Sequence, residues 1–557
     1  MTLRKVLYYK LAMDDNTIFG GSNPPAGPIN SAPTQPVQPG QSPVVQPPVT
    51  QPSLPQEPTY QPPQPPQVQS RPAPSPFPQP VQQSAPQPVA VIPKPIAPMQ
   101  GATIPQSPLP PGMGVPPPAP GGPAPSAKRS PLLFIGIAIV IIIGIILAII
   151  FFLMPRFQGV TGGKVTLTYW GLFETEEVMK PIIAEFEKQN PNIKVKYVHQ
   201  DIKAYRERLN TRIQNGNGPD IFRFHNTWVS MMSSSLLPLS NDVITKKDFE
   251  TWYYTVAQRD LIKKGAIYGI PLEIDTLALY INTDLLQAAG VQPPKTWDEF
   301  LSVSRALTVR DNGGRIKTAG AALGTYDNVD HAPDIMSLLL LQNGANLKDL
   351  SQTVQNTSDA FAFYLSFSQI ENRVWDDALD SSRLSFSRGN LAMFFGYSWD
   401  AVLIKAENPN LQFRVYPVPH LLDRSITIAS YWAEGVSAKS LHKNESLKFM
   451  KFLTLKETQQ KLFTEESKTR LYGEPYSRVD LADSLKDNEL LYPFVAQAKD
   501  SSSSFFASDT DDGGLNTQAN GYLGNAVRSS LGGLSPETAI KTLTHGVKLI
   551  LSQYGEL

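Results

Sequence analysis

Val165-Thr-Leu-Thr-Tyr-Trp170, Ile193-Lys-Val-Lys-Tyr-Val198 and Pro219-Asp-Ile-Phe-Arg-Phe224 alternate like strands, and two helical stripes separate them. The first stripe is Val178, Met179, Ile182, Ile183 and Phe186, closed by Asn190-Pro191. The second is Ile202, Tyr205, Leu209 and Ile213, closed by Gly216. Strand, helix, strand, helix, strand predicts a parallel sheet with helices on its faces. Ligands of such sheets bind beyond the carboxyl ends of the strands. Those ends are Trp170-Gly-Leu-Phe-Glu174 and Phe224-His-Asn-Thr-Trp228, both rich in aromatic and hydrogen-bonding side chains.

Upstream the character of the chain changes. Leu132 to Met154 is a run of 23 residues with no charged or polar side chain. As a helix it would span about 34 Å, enough for a hydrocarbon core of about 30 Å. We read 131–155 as a single transmembrane helix, too long for a signal peptide and too far from the N-terminus. Before it, 36 of the chain's 52 prolines fall in residues 1–130. Steps such as Gln61-Pro62-Pro63-Gln64-Pro65-Pro66 favour polyproline II, and so little apolar content cannot offset the entropy of ordering. Residues 1–130 are expected to be a disordered Pro/Gln-rich tail, a spacer rather than a ligand for an adaptor domain. Lys128 and Arg129 on one flank balance Arg156 and Lys164 on the other, so the flanking charges do not orient the helix.

The chain has no cysteine, which excludes disulfides, thiolate nucleophiles and thiolate metal sites. Residues 165–557 hold 40 basic against 46 acidic side chains. A slightly acidic domain without basic clusters argues against nucleic-acid binding. No nucleophile elbow, HExxH zinc motif or phosphate-cradling glycine loop is present, and no cofactor is expected. Tyr326-Asp-Asn-Val-Asp-His-Ala-Pro-Asp334 gathers carboxylates and a histidine, but without a helical i,i+4 ligand pair it reads as a cleft loop with helix caps. Asp509-Thr-Asp-Asp-Gly-Gly514 resembles a calcium loop that lacks the glutamate at its twelfth position, so it reads as an acidic turn. No metal site is expected.

Further on come Tyr268-Gly-Ile-Pro-Leu272, Ile281-Asn-Thr-Asp284 and Pro293-Pro-Lys-Thr-Trp-Asp-Glu-Phe300. Phe386-Ser-Arg-Gly-Asn-Leu-Ala-Met393 runs into Tyr397-Ser-Trp-Asp400, and Glu434-Gly-Val-Ser-Ala-Lys439 precedes Ser446-Leu-Lys-Phe-Met-Lys-Phe-Leu-Thr454. With Pro219-Asp220-Ile and Leu236-Leu-Pro-Leu239, this ordered set resembles the bacterial extracellular solute-binding proteins of the sugar-binding, maltose-binding-protein-like group. It covers nearly all of 164–557.

The resemblance implies an α/β, two-lobed periplasmic-binding-protein-like fold with a hinge and a central cleft. The N-terminal lobe would be 164–272 with 426–478, and the C-terminal lobe 276–422 with 482–557. Hinges would lie at 272–276, 422–426 and 478–482. It implies no catalysis but capture of a small-molecule solute, a sugar or oligosaccharide, and delivery to the permease subunits of an ABC-type importer. The domain would be extracytoplasmic, on a single-pass plasma-membrane protein whose tail is cytoplasmic. A surface enzyme acting on glycans, or a ligand sensor, could use the same cleft.

Carried over position by position, the resemblance gives ligand-binding candidates. Trp170 and Glu174 follow the first strand, and His225 and Asn226 the third. Asp275 is at the hinge, Trp399 is in the Ser-Trp-Asp motif, and Trp432 and Glu434 precede Gly435. Tyr326, Asp327, Asn516 and Tyr522 are added from loop position. Asp275 could instead be a cap or a hinge salt bridge, and Trp297 reads as a packing residue at a helix start.

Overall fold

The computed structural model describes residues 164–421 and 424–557. The tail expected at 1–130 and the membrane helix expected at 131–155 lie outside them. Among the described residues no helix is long and apolar enough to cross a membrane.

The opening alternation folds as β1 (Val165–Gly171), α1 (Glu176–Gln189), β2 (Ile193–His199), α2 (Tyr205–Gln214) and β3 (Ile221–His225). Local chemistry fixes the ends of α1. The Thr175 side chain accepts from Val178 N, Glu176 and Glu177 occupy the first turn, and Asn190 closes the helix. Its five-residue apolar stripe is buried, each side chain contributing about 1.5–3 kcal/mol. Short strands β4 (Leu236–Leu237) and β5 (Ile270–Pro271) follow.

The second half begins with β6 (Ala278–Asn282) and α3 (Trp297–Leu307). Thr296 and Glu299 form a capping box on α3, and Trp297 is fully buried, a packing residue as expected. Then come β7 (Val309–Arg310), β8 (Ile316–Ala321), α4 (Ala332–Gln342), α5 (Val354–Ser366), β9 (Leu391–Gly396), α6 (Ser398–Glu407) and β10 (Phe413–Tyr416). The last stretch supplies β11 (Thr427–Ile428), β12 (Trp432–Ser437), α7 (Lys443–Leu453), α8 (Lys456–Glu466), β13 (Ser501–Ser502), α9 (Leu515–Leu531) and α10 (Pro536–Gln553).

These strands build two main sheets. The first has the order β2-β1-β3-β12-β4, with β5 also paired to β12. β1 is parallel to β2 and β3, whereas β12 is antiparallel to β3, with Trp432 opposite His225. The second sheet has the order β10-β6-β9-β8-β7. Each sheet has its own apolar core, one built around Leu167, Tyr169 and Phe222, the other around Tyr280, Trp297 and Phe395.

The chain passes from one core to the other between Ile274 and Leu277, between Ile428 and Ala429, and between Leu462 and Tyr472, and it touches the first core once more at Ala498. The crossings are laced together. Thr276 bridges Ala429, Glu273 bridges Tyr476, and Tyr253 bridges Arg478 through backbone pairs. This is the two-lobed mixed α/β architecture of a substrate-binding fold.

Candidate functional site

Where β1 and β3 end, the chain meets the crossing segments around a cleft of about 490 Å³. Four expected residues line it: His225, Asp275, Trp399 and Trp432. Phe173, Glu273, Ser430, Arg470, Glu474, Ser508, Asp509 and Asp511 complete much of the wall.

Phe173 reaches the cleft because β1 ends in a glycine. A Cβ on Gly171 would lie 2.1 Å from the Tyr197 hydroxyl. That hydroxyl donates to Glu174 O at 2.8 Å and pins the turn that carries Phe173. The Phe173 ring packs edge-on against Trp432 at 5.4 Å, and Trp432 is also edge-on to His225 and Trp228, each at 5.1 Å. His225 engages Thr227 Oγ1 at 2.8 Å through Nδ1 and Ser430 Oγ at 3.0 Å through Nε2. Burial pushes its pKa down to about 3, so the ring is neutral at physiological pH.

The opposite wall is the start of α6. Trp399, Val402 and Leu403 stand at i, i+3 and i+4 and present one apolar stripe to the cleft. The Trp399 ring stacks on Tyr397 at 4.6 Å and 17°, and the Tyr397 hydroxyl donates to Asp334 at 2.8 Å. Asp275 anchors this helix from the crossing segment. Its Oδ2 accepts from Ser398 N at 2.8 Å and Ser398 Oγ at 2.5 Å, and its Oδ1 accepts from Thr276 N at 2.8 Å. Asp275 thus braces the first turn of α6 from outside the helix, whose own N-cap is Tyr397. Burial holds the Asp275 carboxyl well above its ordinary range in spite of these donors. Asp275→Asn puts an amide where two donors converge, and should cost about 1–3 kcal/mol in a urea melt. An unchanged melt would mean that Asp275 holds nothing in place.

Beneath the cleft lies a fully buried ion triad. Arg223 donates from Nη1 to Glu174 Oε1 at 2.7 Å and from Nε to Glu434 Oε1 at 2.6 Å, and no member is more than 1% exposed. Burial would raise the Glu174 carboxyl, but Arg223 outweighs it and holds it low; for Glu434 burial wins and its pKa is raised. Both residues support the floor rather than line it. Beside them Arg470 contacts Glu466 at 3.0 Å and Glu474 at 2.7 Å.

The other candidates have partners elsewhere. Trp170 is half-buried against the first core. Asn226 donates to Asp260 at 2.8 Å behind the cleft. Asn516 accepts from Thr227 Oγ1 at 2.8 Å and donates to Phe505 O at 2.9 Å. Tyr326, Asp327 and Tyr522 are not brought to the cleft. The Tyr326 hydroxyl donates to Asn520 O at 2.8 Å, Asp327 pairs with Arg528 at 2.6 Å, and Tyr522 packs against Gly546. Loop position gave no direction for these side chains.

The residues missed left different traces in the sequence. Phe173 lies within the strand-end stretch, Glu273 is two residues before Asp275, and Asp509 and Asp511 lie in the acidic turn. Arg470 and Glu474 carry no pattern at all. In that turn Asp512 caps α9, accepting from Gly514 N, Asn516 N and Thr517 N. In the earlier acidic loop Asp327, Asp330 and Asp334 turn to separate partners. Among the described residues no group of histidine and carboxylate side chains is arranged to hold a metal ion.

The profile of the bacterial extracellular solute-binding proteins matches residues 174–460. The multiple sugar-binding protein of Streptococcus mutans is 24% identical over 322 residues, 54% of this chain and 73% of that protein. The arabinooligosaccharide-binding protein of Bacillus subtilis is 28% identical over 196 residues, 32% of this chain and 41% of that protein. Among solved structures, the sugar-binding protein MalE of Xanthomonas citri superposes with a TM-score of 0.58 at 21% identity, over 70% of this chain and 98% of that one. A solute-binding protein of an ABC transporter from Thermotoga lettingae, bound with alpha-D-tagatose, gives 0.55 at 24% identity, over 70% and 100%. These relatives are binding proteins, not enzymes. With its profile matched over more than half its length and the two-lobed fold in place, this chain belongs to the bacterial extracellular solute-binding protein family.

Proposed function

We propose that the protein captures a sugar or oligosaccharide outside the plasma membrane and passes it to the permease of an ABC-type importer. The observation that carries this reading is the cleft wall, which combines Phe173, Trp399 and Trp432 with carboxyl side chains. A pyranose has apolar C–H faces that pack on such rings and a rim of hydroxyls that needs hydrogen-bonding partners. The sugar-binding names of the relatives support the same solute class.

We propose lobes of 164–272 with 426–478, and 276–422 with 482–557, although Ile428, Tyr472 and Tyr476 pack with the second core. His225, Asp275, Trp399 and Trp432 are the proposed ligand contacts. The apolar run at 131–155 tethers the domain to the membrane as a single pass, with the tail of residues 1–130 in the cytoplasm.

A thermal-shift screen against a sugar panel tests the reading, since a ligand stabilises the folded state as RT ln(1 + [L]/Kd). A rising melting temperature with one sugar class, and recovery of that sugar unchanged, is the expected result. No shift with any sugar would overturn it. Trp399→Ala should weaken binding of the responding sugar roughly tenfold by removing a stacked ring. A collapse of the melt at unchanged affinity would place Trp399 in a purely structural role.

A further inference from the structure

The charge of the cleft narrows the ligand further. Five carboxylates line it, Glu273, Asp275, Glu474, Asp509 and Asp511, against the single guanidinium of Arg470. Arg470 pairs with Glu466 and Glu474 although its Nε and Nη2 make no hydrogen bond, the His331 imidazolium faces Asp509, and burial keeps His225 neutral. Most of the acids are also engaged. Asp275 takes three donors, Asp509 contacts His331 Nδ1 at 3.0 Å, and Asp511 accepts from Ala204 N at 3.0 Å.

Glu273 is different. It is only 6% exposed, it lines the cleft, and its carboxyl accepts no hydrogen bond from any described residue. Burial and the neighbouring Glu474 carboxylate hold it well above its ordinary range. Behind it, the Oε2 atoms of Glu174 and Glu434 are buried without hydrogen-bond partners. The site therefore sets an unpaired Glu273 carboxyl beside Glu474, with further unpaired acceptors at Glu174 and Glu434 and buried unpaired donors at Arg470 Nε and Nη2 and the Tyr169 hydroxyl.

A neutral sugar brings hydroxyl donors but no charge. An ammonium brings three donors and a positive charge that favours the ionised form of Glu273 beside Glu474, and the faces of Phe173, Trp399 and Trp432 also attract cations. We propose that the cleft prefers sugars bearing a protonated amine and seats the ammonium against Glu273 and Glu474. This rests on the sugar reading above and deepens it. Uronic, sulfated and phosphorylated sugars are disfavoured by the same charges.

Calorimetry on the full-length protein tests this with matched pairs: glucosamine and glucose, galactosamine and galactose, mannosamine and mannose, and chitosan and cello-oligosaccharides. The expected result is at least one pair in which the amine binds about tenfold tighter or more, a preference that shrinks as salt rises. Glu273→Gln should bring the ratio within that pair towards one, and Glu474→Gln, whose side chain is on the surface of the cleft, serves as the second variant should the first fail to melt cooperatively. Neutral sugars binding as well as amines would overturn the charge preference and leave the sugar reading standing. A ratio unchanged in both variants would overturn the placement at Glu273 and Glu474. Binding by neither member of any pair would overturn the sugar reading, and this inference with it.

Discussion

Arg223→Met is expected to destabilise the protein by about 3–5 kcal/mol, read as a lower urea midpoint followed by tryptophan fluorescence. The guanidinium is fully buried and holds Glu174 and Glu434 through separate nitrogens. Removing it leaves two carboxyls in a site shielded from solvent, and they must take up protons or unfold the floor. The cost is that of the stranded partners, not the net worth of the triad. The triple variant Arg223→Met, Glu174→Gln, Glu434→Gln should therefore recover a large part of the loss. A single variant as stable as wild type would mean that water enters beneath the cleft. Because Arg223 lies on β3, Glu434 on β12 and Glu174 in the turn after β1, the melt should lose cooperativity across the whole first sheet rather than at one edge.

The second large effect concerns His331, at the other lobe's side of the cleft. Its Nε2 lies 2.9 Å from Asp400 and its Nδ1 3.0 Å from Asp509. Burial alone would lower its pKa, but the two carboxylates outweigh burial and raise it well above 6.5. A folded pKa above the unfolded one contributes stability that is complete below about pH 6.5 and is lost as pH rises through the folded value. Wild type should lose stability with rising pH over that window, and His331→Gln should show a flatter profile. At about pH 6 the substitution should cost about 3 kcal/mol, because Asp400 is also buried and loses its charged partner. Parallel pH profiles for the two proteins would refute the protonated ring. Asp400 also accepts from Tyr397 N, and Tyr397 carries the stacked Trp399 ring, so the variant should weaken ligand binding as well.

What the sequence revealed follows from how far apart the interacting residues are. The β1-α1-β2-α2-β3 succession was legible because each element declares its period within ten residues and its ends within one cap. The place of β12 between β3 and β4 was not, since no local pattern at Trp432–Ser437 says which edge it will join. The site divides in the same way. His225 lies at a strand end that the alternation marks, whereas Asp275, Trp399 and Trp432 come only from the resemblance carried over position by position. Glu273, Arg470 and Glu474 are charged residues in irregular segments, where nothing distinguishes a cleft wall from a solvated loop. The same ambiguity drew Tyr326, Asp327 and Tyr522 into the candidate set, although they pack on α9 and α10.

The position of β12 also sets a timetable. When the ribosome has finished β3, the strand that will cover its outer edge is still roughly 200 residues away. At about 5–20 residues per second that gap lasts roughly 10–40 s. Throughout it, Ile221–His225 presents an apolar strand with unpaired backbone groups, a template for pairing with any other extended chain. The first sheet therefore cannot mature during synthesis of its own N-terminal half. A nascent chain halted before Trp432 should aggregate or engage a holding chaperone, and one halted just after Ser437 should begin to resist protease. For a protein bound for the far side of a membrane this delay is useful, because the segment that folds late is also the one that keeps the early half threadable.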